Sequence, residues 1–372
     1  MTDRPEHHAT GGLDRPNSGR TDRGWRSDKT SGRHSPYAVR GGERRSPGKA
    51  RRIAFFVLGA LALCTALWFA IRLMSSGRPD FDGAAALAHV EAQTALGPRV
   101  PGSEAHAAFR ELALAHFRPL AAAAAEQTFT YRDRVDSARV WTGHNLVAAF
   151  QPEMGRRVML AAHYDSRPVA DQDPDSSRRS EPVLGANDGA SGVAVLMELA
   201  RLFAEEPPPV GVDLVLFDLE DMGTGEDQDS SDVSDLDRSA RGKNPYAIGS
   251  EFFAQQNSSY RPAYGVLLDM VCAPDARFPI EGHSQIYAPA VVERVWAAAE
   301  RAGAAPPFTR EVGGGVVDDH IAFLRRGIPV VDVIQQPFPD VWHTTADTAD
   351  RCSAETLGAV GRTLVELIYS ER

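Results

Sequence analysis

The stretch VDLVLFDL, Val212–Leu219, is a nearly continuous apolar run that leads directly into two acids, Glu220 and Asp221. A run of this length and composition is typical of a β-strand that is covered on both faces, as the strands of parallel sheets are. The five runs of this character predict the strands of one sheet. The other four are Asn145–Phe150, Arg156–His163, Tyr264–Val271 and Ile328–Ile334.

Helical patterns separate the predicted strands. The clearest are Ala190–Glu206 and the closing stretch Ser353–Tyr369. This alternation predicts an α/β fold in which helices sandwich a central mixed, largely parallel sheet. We assign residues 80–372 to one catalytic domain of this kind, since a chain of 372 residues with 43% hydrophobic content can bury a substantial core.

Ligands in such folds collect outside the carboxyl ends of the strands. Carboxylates with a minority of imidazoles suit zinc in a catalytic site that keeps one position open for substrate. The sequence therefore predicts a zinc site at this edge of the sheet. Its candidate side chains follow predicted strands or open a helix: His163, Asp165, Asp188, Glu220, Asp221, Asp269 and His343.

The N-terminal segment differs in composition from the rest of the chain. Residues 1–52 hold 13 Lys and Arg against 6 Asp and Glu, so the total formal charge of −10 leaves −17 for the remainder. A Gly/Ser/Arg-rich tract without apolar periodicity is typical of disorder, and we predict a disordered, basic, cytoplasmic tail. The acidic remainder lacks a basic patch for nucleic acid, which argues against that class of partner.

An uncharged run of nineteen residues, Ile53–Ile71, follows the tail. It is long enough to cross the hydrocarbon core of a membrane as a helix. Because basic residues precede it, the positive-inside bias predicts a single-pass anchor at residues 53–74, with the catalytic domain on the periplasmic or extracellular side. A cleaved signal peptide is the alternative, although the run exceeds the usual 7–15 residue core of such peptides.

Two further features are open at this stage. Cys272 and Cys352 lie in the predicted exported domain, where one disulfide between them is possible but is not required by the pattern. The stretch Met222–Pro245 is acidic and rich in Gly and Ser, which predicts a mobile flap. The regular spacing of a calcium-binding loop is missing there.

From about Asp80 onward the chain resembles the type II glutaminyl-peptide cyclotransferases, which share the fold of zinc-dependent aminopeptidases. Four blocks carry the resemblance. They are HYDS (His163–Ser166), GANDGASG (Gly185–Gly192), LLDMVCAPDARFP (Leu267–Pro279) and DDHIAFLRRGIPVVDVIQQPFPDVWHT (Asp318–Thr344).

The resemblance implies a ligand set. Asp188, Asp221 and His343 would hold one catalytic zinc ion. The aminopeptidase relatives instead bind two zinc ions, with Asp188 bridging and with His163 and Asp269 as further ligands. The residue types for both arrangements are present, so the sequence leaves the number of zinc ions open.

The resemblance also implies the residues of catalysis and substrate binding. Glu220 would be the general acid and base, and Asp269 and Asp318 would bind the substrate amine or relay protons. Trp342, where the aminopeptidases usually have tyrosine, would wall a narrow pocket for a glutamine side chain, together with Phe338. His163 would serve as a second-metal ligand or in the relay.

The chain departs from the animal members of that family. Asp221 stands where those enzymes have glutamate, and Ala162 replaces a cysteine that forms a disulfide there. Asp332 replaces a histidine of the proton-relay network, so that network is expected to be rebuilt or absent. The predicted flap also lacks the tryptophan expected at the pocket rim.

Three functions are compatible with these residues. The first is a cyclotransferase that converts N-terminal glutamine of peptides or proteins to pyroglutamate and releases ammonia. The second is a zinc aminopeptidase that removes N-terminal residues. The third is a binding module with a degenerate site, which is disfavoured because no candidate ligand is replaced by an apolar residue.

Overall fold

A six-stranded mixed sheet is the centre of the computed structural model, which describes residues 78–224 and 244–371 together with Val57, Gly59 and Thr65. The order of its strands is β1-β2-β4-β3-β5-β8, and β6 and β7 form a separate two-stranded sheet. The strands are β1 (Ala123–Arg132), β2 (Val140–Phe150), β3 (Arg157–His163), β4 (Gly211–Phe217), β5 (Tyr264–Asp269), β6 (Phe278–Ile280), β7 (Phe308–Val312) and β8 (Val330–Ile334).

The direction of the strands changes within the sheet. The pairs β1–β2 and β2–β4 are antiparallel, whereas β4–β3, β3–β5 and β5–β8 are parallel. The carboxyl ends of β4, β3, β5 and β8 therefore lie at one edge. The prediction of an α/β fold with a mixed sheet between helices is confirmed.

Helices cover both faces of the sheet. On one face lie α1, α3, α6 and α8, and on the other lie α4 and α7. Asp82, Ser103 and Ser353 cap the N-termini of α1, α2 and α8 with their side chains. The described helices are α1 (Gly83–Thr94), α2 (Glu104–Phe117), α3 (Ala190–Glu205), α4 (Ile248–Gln256), α5 (Gly282–Tyr287), α6 (Pro289–Arg301), α7 (His320–Leu324) and α8 (Ala354–Tyr369), with a 3₁₀ turn at Ala349–Arg351.

The burial of β3 shows why its sequence is apolar throughout. Val158 and Leu160 pack in the larger core, toward α1, α3, α6 and α8, while Met159 and Ala161 pack in the smaller core under α4 and α7. Successive side chains of a strand point to opposite faces, so a strand covered on both sides needs apolar residues at every position. The predicted helix at Ala190–Glu206 is α3, which is buried along nearly its whole length.

Cys272 and Cys352 form a disulfide, which the sequence had left open. It ties the loop after β5 to the segment that enters α8. The main-chain N–H of Ser353 also donates to the carbonyl of Cys272 at 2.7 Å, so the two segments are held by the backbone as well.

The predicted membrane anchor is not supported. Residues 1–52 and most of Ile53–Ile71 lie outside the described residues, as do residues 225–243 of the predicted flap. Among the residues that are described, no helix is long and apolar enough to cross a membrane; α3 and α8 have 16 residues each and pack on the sheet, against the roughly 20 apolar residues that a span needs. This finding contradicts the predicted localisation, a single-pass anchor with a cytoplasmic N-terminus and an exported catalytic domain. The predicted membrane partner is likewise not supported.

Candidate active site

The candidate ligands come from separate segments that meet at the carboxyl edge of the parallel strands. His163 is the last residue of β3 and Asp269 is the last residue of β5, while Glu220 and Asp221 follow β4 by three and four residues. The chain turns sharply on the way, because Leu219 has a left-handed backbone with φ 58°. The strand ends therefore bring together acids that lie far apart in the sequence.

Asp188, Asp221 and His343 form the first group of potential metal ligands. One ligand atom from each lies within 4.8 Å of the others. His343 Nε2 is 3.2 Å from Asp221 Oδ1 and 3.6 Å from Asp188 Oδ2. All three side chains are buried, with at most 5% of each residue exposed.

His163, Asp188 and Asp269 form a second group beside the first. His163 Nε2 is 3.1 Å from Asp188 Oδ1 and 3.2 Å from Asp269 Oδ1. Asp188 thus belongs to both groups, with one oxygen directed to each histidine. The geometry has room for the one-ion arrangement and for the two-ion arrangement that the sequence left open.

The charge of the two groups fits a bound cation. Burial, and after it the charge of Asp221, raises the pKa of Asp188. Burial, together with Asp318 and Asp221, raises the pKa of Asp269, although His163 opposes the rise. A carboxylate-rich, buried site with two imidazoles is the donor set of a catalytic zinc centre. The residues present therefore fit zinc.

The backbone around Asp188 is held in a conformation that presents its carboxylate. Gly189, not Asp188, is the residue that precedes the first turn of α3, and its φ of 95° favours glycine. A Cβ on Gly189 would lie 2.8 Å from the carbonyl oxygen of Asp165 and 3.1 Å from Cε1 of His163. Asp188 is thus free from helix capping and is directed at the two histidines.

Asp165, a candidate of the predicted zinc site, and Asp347, which the sequence analysis did not select, support the ligand loops and belong to neither ligand group. Asp165 accepts hydrogen bonds from the main-chain N–H groups of Glu220 and Asp221, each at 3.1 Å. Asp347 accepts from those of Asn187 and Asp188 at 2.8 and 3.1 Å. Each carboxylate fixes two adjacent residues of a ligand loop. The sequence signal for Asp165 was its position in HYDS, but Asp347 carried no signal beyond its closeness to His343.

Glu220 faces a small cavity of about 30 Å³ that it shares with Asp269 and Asp318. Burial raises the pKa of Glu220 well above its ordinary value; the charge of His163 opposes this rise, and Asp318 and Asp221 add to it. A raised pKa makes a carboxyl group a stronger proton acceptor than an ordinary carboxylate. The position and the environment of Glu220 suit a proton carrier.

Aromatic side chains form the wall of this cavity. The ring of Trp342 stacks on that of His343 with centroids 3.8 Å apart, and Phe338 lies 4.9 Å from Trp342. Tyr246, which the sequence analysis did not select, lines the same cavity. A larger cleft of about 810 Å³ adjoins it and shares Tyr246, Trp342 and His343 as lining residues. Tyr246 and Trp342 therefore border both the cleft and the acid-lined cavity.

A buried polar cluster lies behind Asp318. His320 Nε2 is 3.2 Å from Glu281 Oε2, and His320 Nδ1 is 3.8 Å from Asp332 Oδ2. Burial and the neighbouring carboxylates, Asp318 first among them, raise the pKa of Asp332 well above its ordinary value. Asp332, which replaces the relay histidine of the animal enzymes, thus faces the imidazole of His320.

Residues 145–368 match Peptidase family M28, and the chain belongs to that family. It is 29% identical over 239 residues to the glutaminyl-peptide cyclotransferase of Bos taurus, a match that covers 59% of this chain and 64% of the bovine protein. The crystal structure of a Bacteroides thetaiotaomicron glutaminyl cyclase bound to N-acetylhistamine is similar, with a TM-score of 0.72, 34% identity, and coverage of 80% of this chain and 100% of that one.

A leucine aminopeptidase precursor from Bacteroides thetaiotaomicron is similar to the same degree. Its TM-score is 0.72 at 34% identity, covering 80% of this chain and 99% of that chain. Proteins named for both activities therefore share this fold.

Proposed function

We propose that this protein is a zinc-dependent glutaminyl-peptide cyclotransferase, which converts the N-terminal glutamine of a peptide or protein to pyroglutamate and releases ammonia. The observation that carries the proposal is the stacking of Trp342 on the candidate ligand His343 at the wall of a narrow, acid-lined cavity. The names of the bovine protein and of several structural neighbours support it. We assign the activity to residues 80–372.

In this proposal Asp188, Asp221 and His343 hold one zinc ion, on the grounds of their proximity and burial. When bound, zinc supplies a Lewis acid for the oxygen of the glutamine γ-carboxamide. All three side chains line the cavity, so a zinc ion that they hold would be accessible to a substrate in it.

Glu220 acts as the proton carrier. It accepts a proton from the α-amine, whose nitrogen then forms a bond to the carboxamide carbon, Cδ, of the same glutamine. The bond from that carbon to the amide nitrogen breaks, and Glu220 returns the proton to the departing nitrogen, which leaves as ammonia. Asp269 and Asp318 line the same cavity and bind the amine.

The aromatic wall holds the substrate glutamine in the orientation that ring closure needs. Ring closure needs the α-amine and the carboxamide carbon of one residue to be held in contact, and a preformed geometry replaces the cost of bringing together two reactants. Trp342 and Phe338 line the cavity beside the acids, with their ring centroids 4.9 Å apart.

Mass spectrometry of a glutamine-initiated peptide tests the proposal. The zinc-loaded full-length protein should remove one ammonia from the peptide, and a chelator should stop the reaction. A matched peptide with an acetylated N-terminus should remain unchanged, because its amine cannot attack. The proposed activity would be refuted if the mass of the peptide with an unblocked N-terminus did not change, or if that peptide lost its whole first residue.

A zinc aminopeptidase is the second candidate, and the position of His163 favours it. His163 Nε2 lies within 3.2 Å of both Asp188 and Asp269, as a second zinc site sharing Asp188 would require. In the same assay this activity would release the first residue and shorten the peptide. Two zinc ions per chain would accompany it.

A further inference from the structure

Four side chains form a closed ring around one side of the proposed zinc site. Arg167 donates from Nε and Nη2 to the two carboxylate oxygens of Asp171, each at 2.7 Å, and from Nη1 to Asp221 Oδ1 at 3.1 Å. Asp171 Oδ1 lies 3.5 Å from Nδ1 of His343. The ring closes through His343 Nε2, which is 3.2 Å from Asp221 Oδ1.

Arg167 is fixed in this ring by further contacts. Only 6% of its side chain is exposed, and Nη1 also donates to the main-chain oxygens of Asp221 and Gly223 at 3.3 and 3.1 Å. The guanidinium group is a rigid planar fork that matches the two oxygens of a carboxylate. The fork therefore fixes the carboxylate of Asp171, although 39% of that side chain is exposed.

His343 needs a partner at its second ring nitrogen. A histidine that binds metal through one nitrogen carries a proton on the other, and a carboxylate or carbonyl usually accepts that proton and sets the ring orientation. Nδ1 of His343 is buried and makes no hydrogen bond to the described residues, and the carboxylate of Asp171 faces it at 3.5 Å, which is within ion-pair distance. The same loop holds the backbone, because Gln172 N–H donates to the His343 carbonyl at 3.2 Å.

We propose that Asp171 is a positioning residue for the metal centre, which orients His343 through Nδ1, and that Arg167 acts through Asp171 by holding its carboxylate in place. Neither residue enters the ligand set or the chemistry. The inference rests on the zinc site of the proposed function but not on the reaction, since a cyclotransferase and an aminopeptidase would both use His343 as a ligand.

Zinc affinity of the full-length protein tests the proposal directly. The zinc-free protein is titrated with zinc against a competing chromophoric chelator for the wild type, Asp171→Asn, Asp171→Glu and Asp340→Asn. Loss of such a carboxylate typically weakens metal binding roughly 10–100-fold, so Asp171→Asn should fall in that range and Asp171→Glu should recover part of it. Asp340 is an exposed acid three residues before His343, and its variant should bind as the wild type does.

Equal zinc affinity in Asp171→Asn and the wild type would overturn the proposal. A merely structural role for Asp171 would lower the melting temperature of the zinc-free protein without changing zinc affinity, and that result would overturn it too. The assay contains no substrate, so its outcome is independent of whether the protein cyclises or shortens peptides.

Arg167→Lys tests the same ring without altering the carboxylate. Lysine keeps the positive charge but cannot contact Asp171 and Asp221 through one rigid fork. We expect a loss of zinc affinity in the same direction as for Asp171→Asn, but smaller. The double variant should bind zinc no more weakly than Asp171→Asn alone, and additive losses would show that Arg167 does not act through Asp171.

Discussion

The indole of Trp342 lies against the imidazole of His343, with the ring centroids 3.8 Å apart and the planes inclined by 24°. The two residues are adjacent in sequence, and His343 has a left-handed backbone with φ 53°. This backbone conformation allows neighbouring side chains to stack, although in an extended strand they would point to opposite faces. One short segment therefore provides both a candidate metal ligand and the wall of the substrate cavity.

Replacement of Trp342 should separate these two roles. Trp342→Ala removes the wall, and we expect kcat/KM for a glutamine-initiated peptide to fall roughly tenfold or more, since an aromatic contact is worth about 0.5–1.5 kcal/mol beyond the area it buries. Trp342→Phe should retain most of the activity. Zinc content of both variants, measured by atomic absorption, should stay near that of the wild type. A parallel loss of zinc and activity would make the indole a support of the ligand rather than a wall.

Glu220→Gln should retain zinc and lose turnover. Glutamine keeps the size of the side chain but cannot carry the proton, and a general acid and base contributes roughly 10²–10⁴-fold to a rate. We expect kcat to fall within that range while zinc content is unchanged. Activity within a few-fold of the wild type would remove Glu220 from the proton path.

Histidine replacements should decide the number of zinc ions. Under the proposed one-ion site, His343→Ala abolishes zinc binding and His163→Ala leaves one ion per chain. The side chains of the two histidines are similarly buried and both lie beside Asp188, so each variant is a control for the other. A wild-type protein with two ions, of which His163→Ala loses one, would favour the aminopeptidase arrangement.

Glu281 should make the free energy of unfolding depend on pH in the acidic range. Burial raises its pKa, but His320 and the N–H groups of His283 and Ser284 outweigh this effect and lower the pKa to about 2 from 4.5. Because the folded pKa is the lower one, the stabilisation is fully present above pH 4.5 and is lost as the pH falls toward 2. The shift corresponds to a contribution of Glu281 to the free energy of unfolding on the order of 3 kcal/mol.

Glu281→Gln is the corresponding experiment. Urea unfolding should show a lower stability than the wild type at pH 7, and the difference should shrink as the pH falls below 4.5. Glu293→Gln, at an exposed site, should show no comparable change. A constant difference between Glu281→Gln and the wild type at all pH values would contradict the depressed pKa.

The disulfide should stabilise the domain. Cys272 and Cys352 are 80 residues apart, and closing a loop of that length in the unfolded chain is worth about 4 kcal/mol in the chain-entropy account. The double variant Cys272→Ser/Cys352→Ser should therefore melt at a lower temperature than the oxidised wild type. A reductant should lower the melting temperature of the wild type but leave that of the double variant unchanged. No effect of the reductant on the wild type would mean that the bond contributes little.

The parts of the fold that the sequence predicted are those where burial imposes a composition. The runs Arg156–His163 and Val212–Leu219 are apolar because β3 and β4 are covered on both faces, and both were located within two residues of their observed ends. The strand β1 was missed because it lies at the sheet edge and most of its side chains are partly or fully exposed. Its alternation was therefore too weak to read as a strand.

The residues of the candidate site also fall into those that the sequence predicted and those that it did not. Asp221 and His343 were candidates because they follow apolar strands, and Asp188 because it precedes a helix; the family resemblance implied that the three form one ligand set. The structure brings them together; their roles stay predictions. Asp347 and Asp171 were not singled out, because their functions depend on partners that are 159 and 172 positions away in the chain, Asp188 and His343. Isolated acids in loops carry no signal of such partners.

The sequence by itself determined the α/β class, the edge of the sheet at which the acids lie and the residue types that fit zinc, because hydrophobic burial and strand direction follow from local composition. Only the tertiary structure decided which oxygen of Asp188 faces which histidine, that Cys272 pairs with Cys352, and that Trp342 stacks on His343. Those contacts depend on distances of a few ångströms between segments distant in the chain or on a left-handed backbone, and neither is encoded in a local pattern.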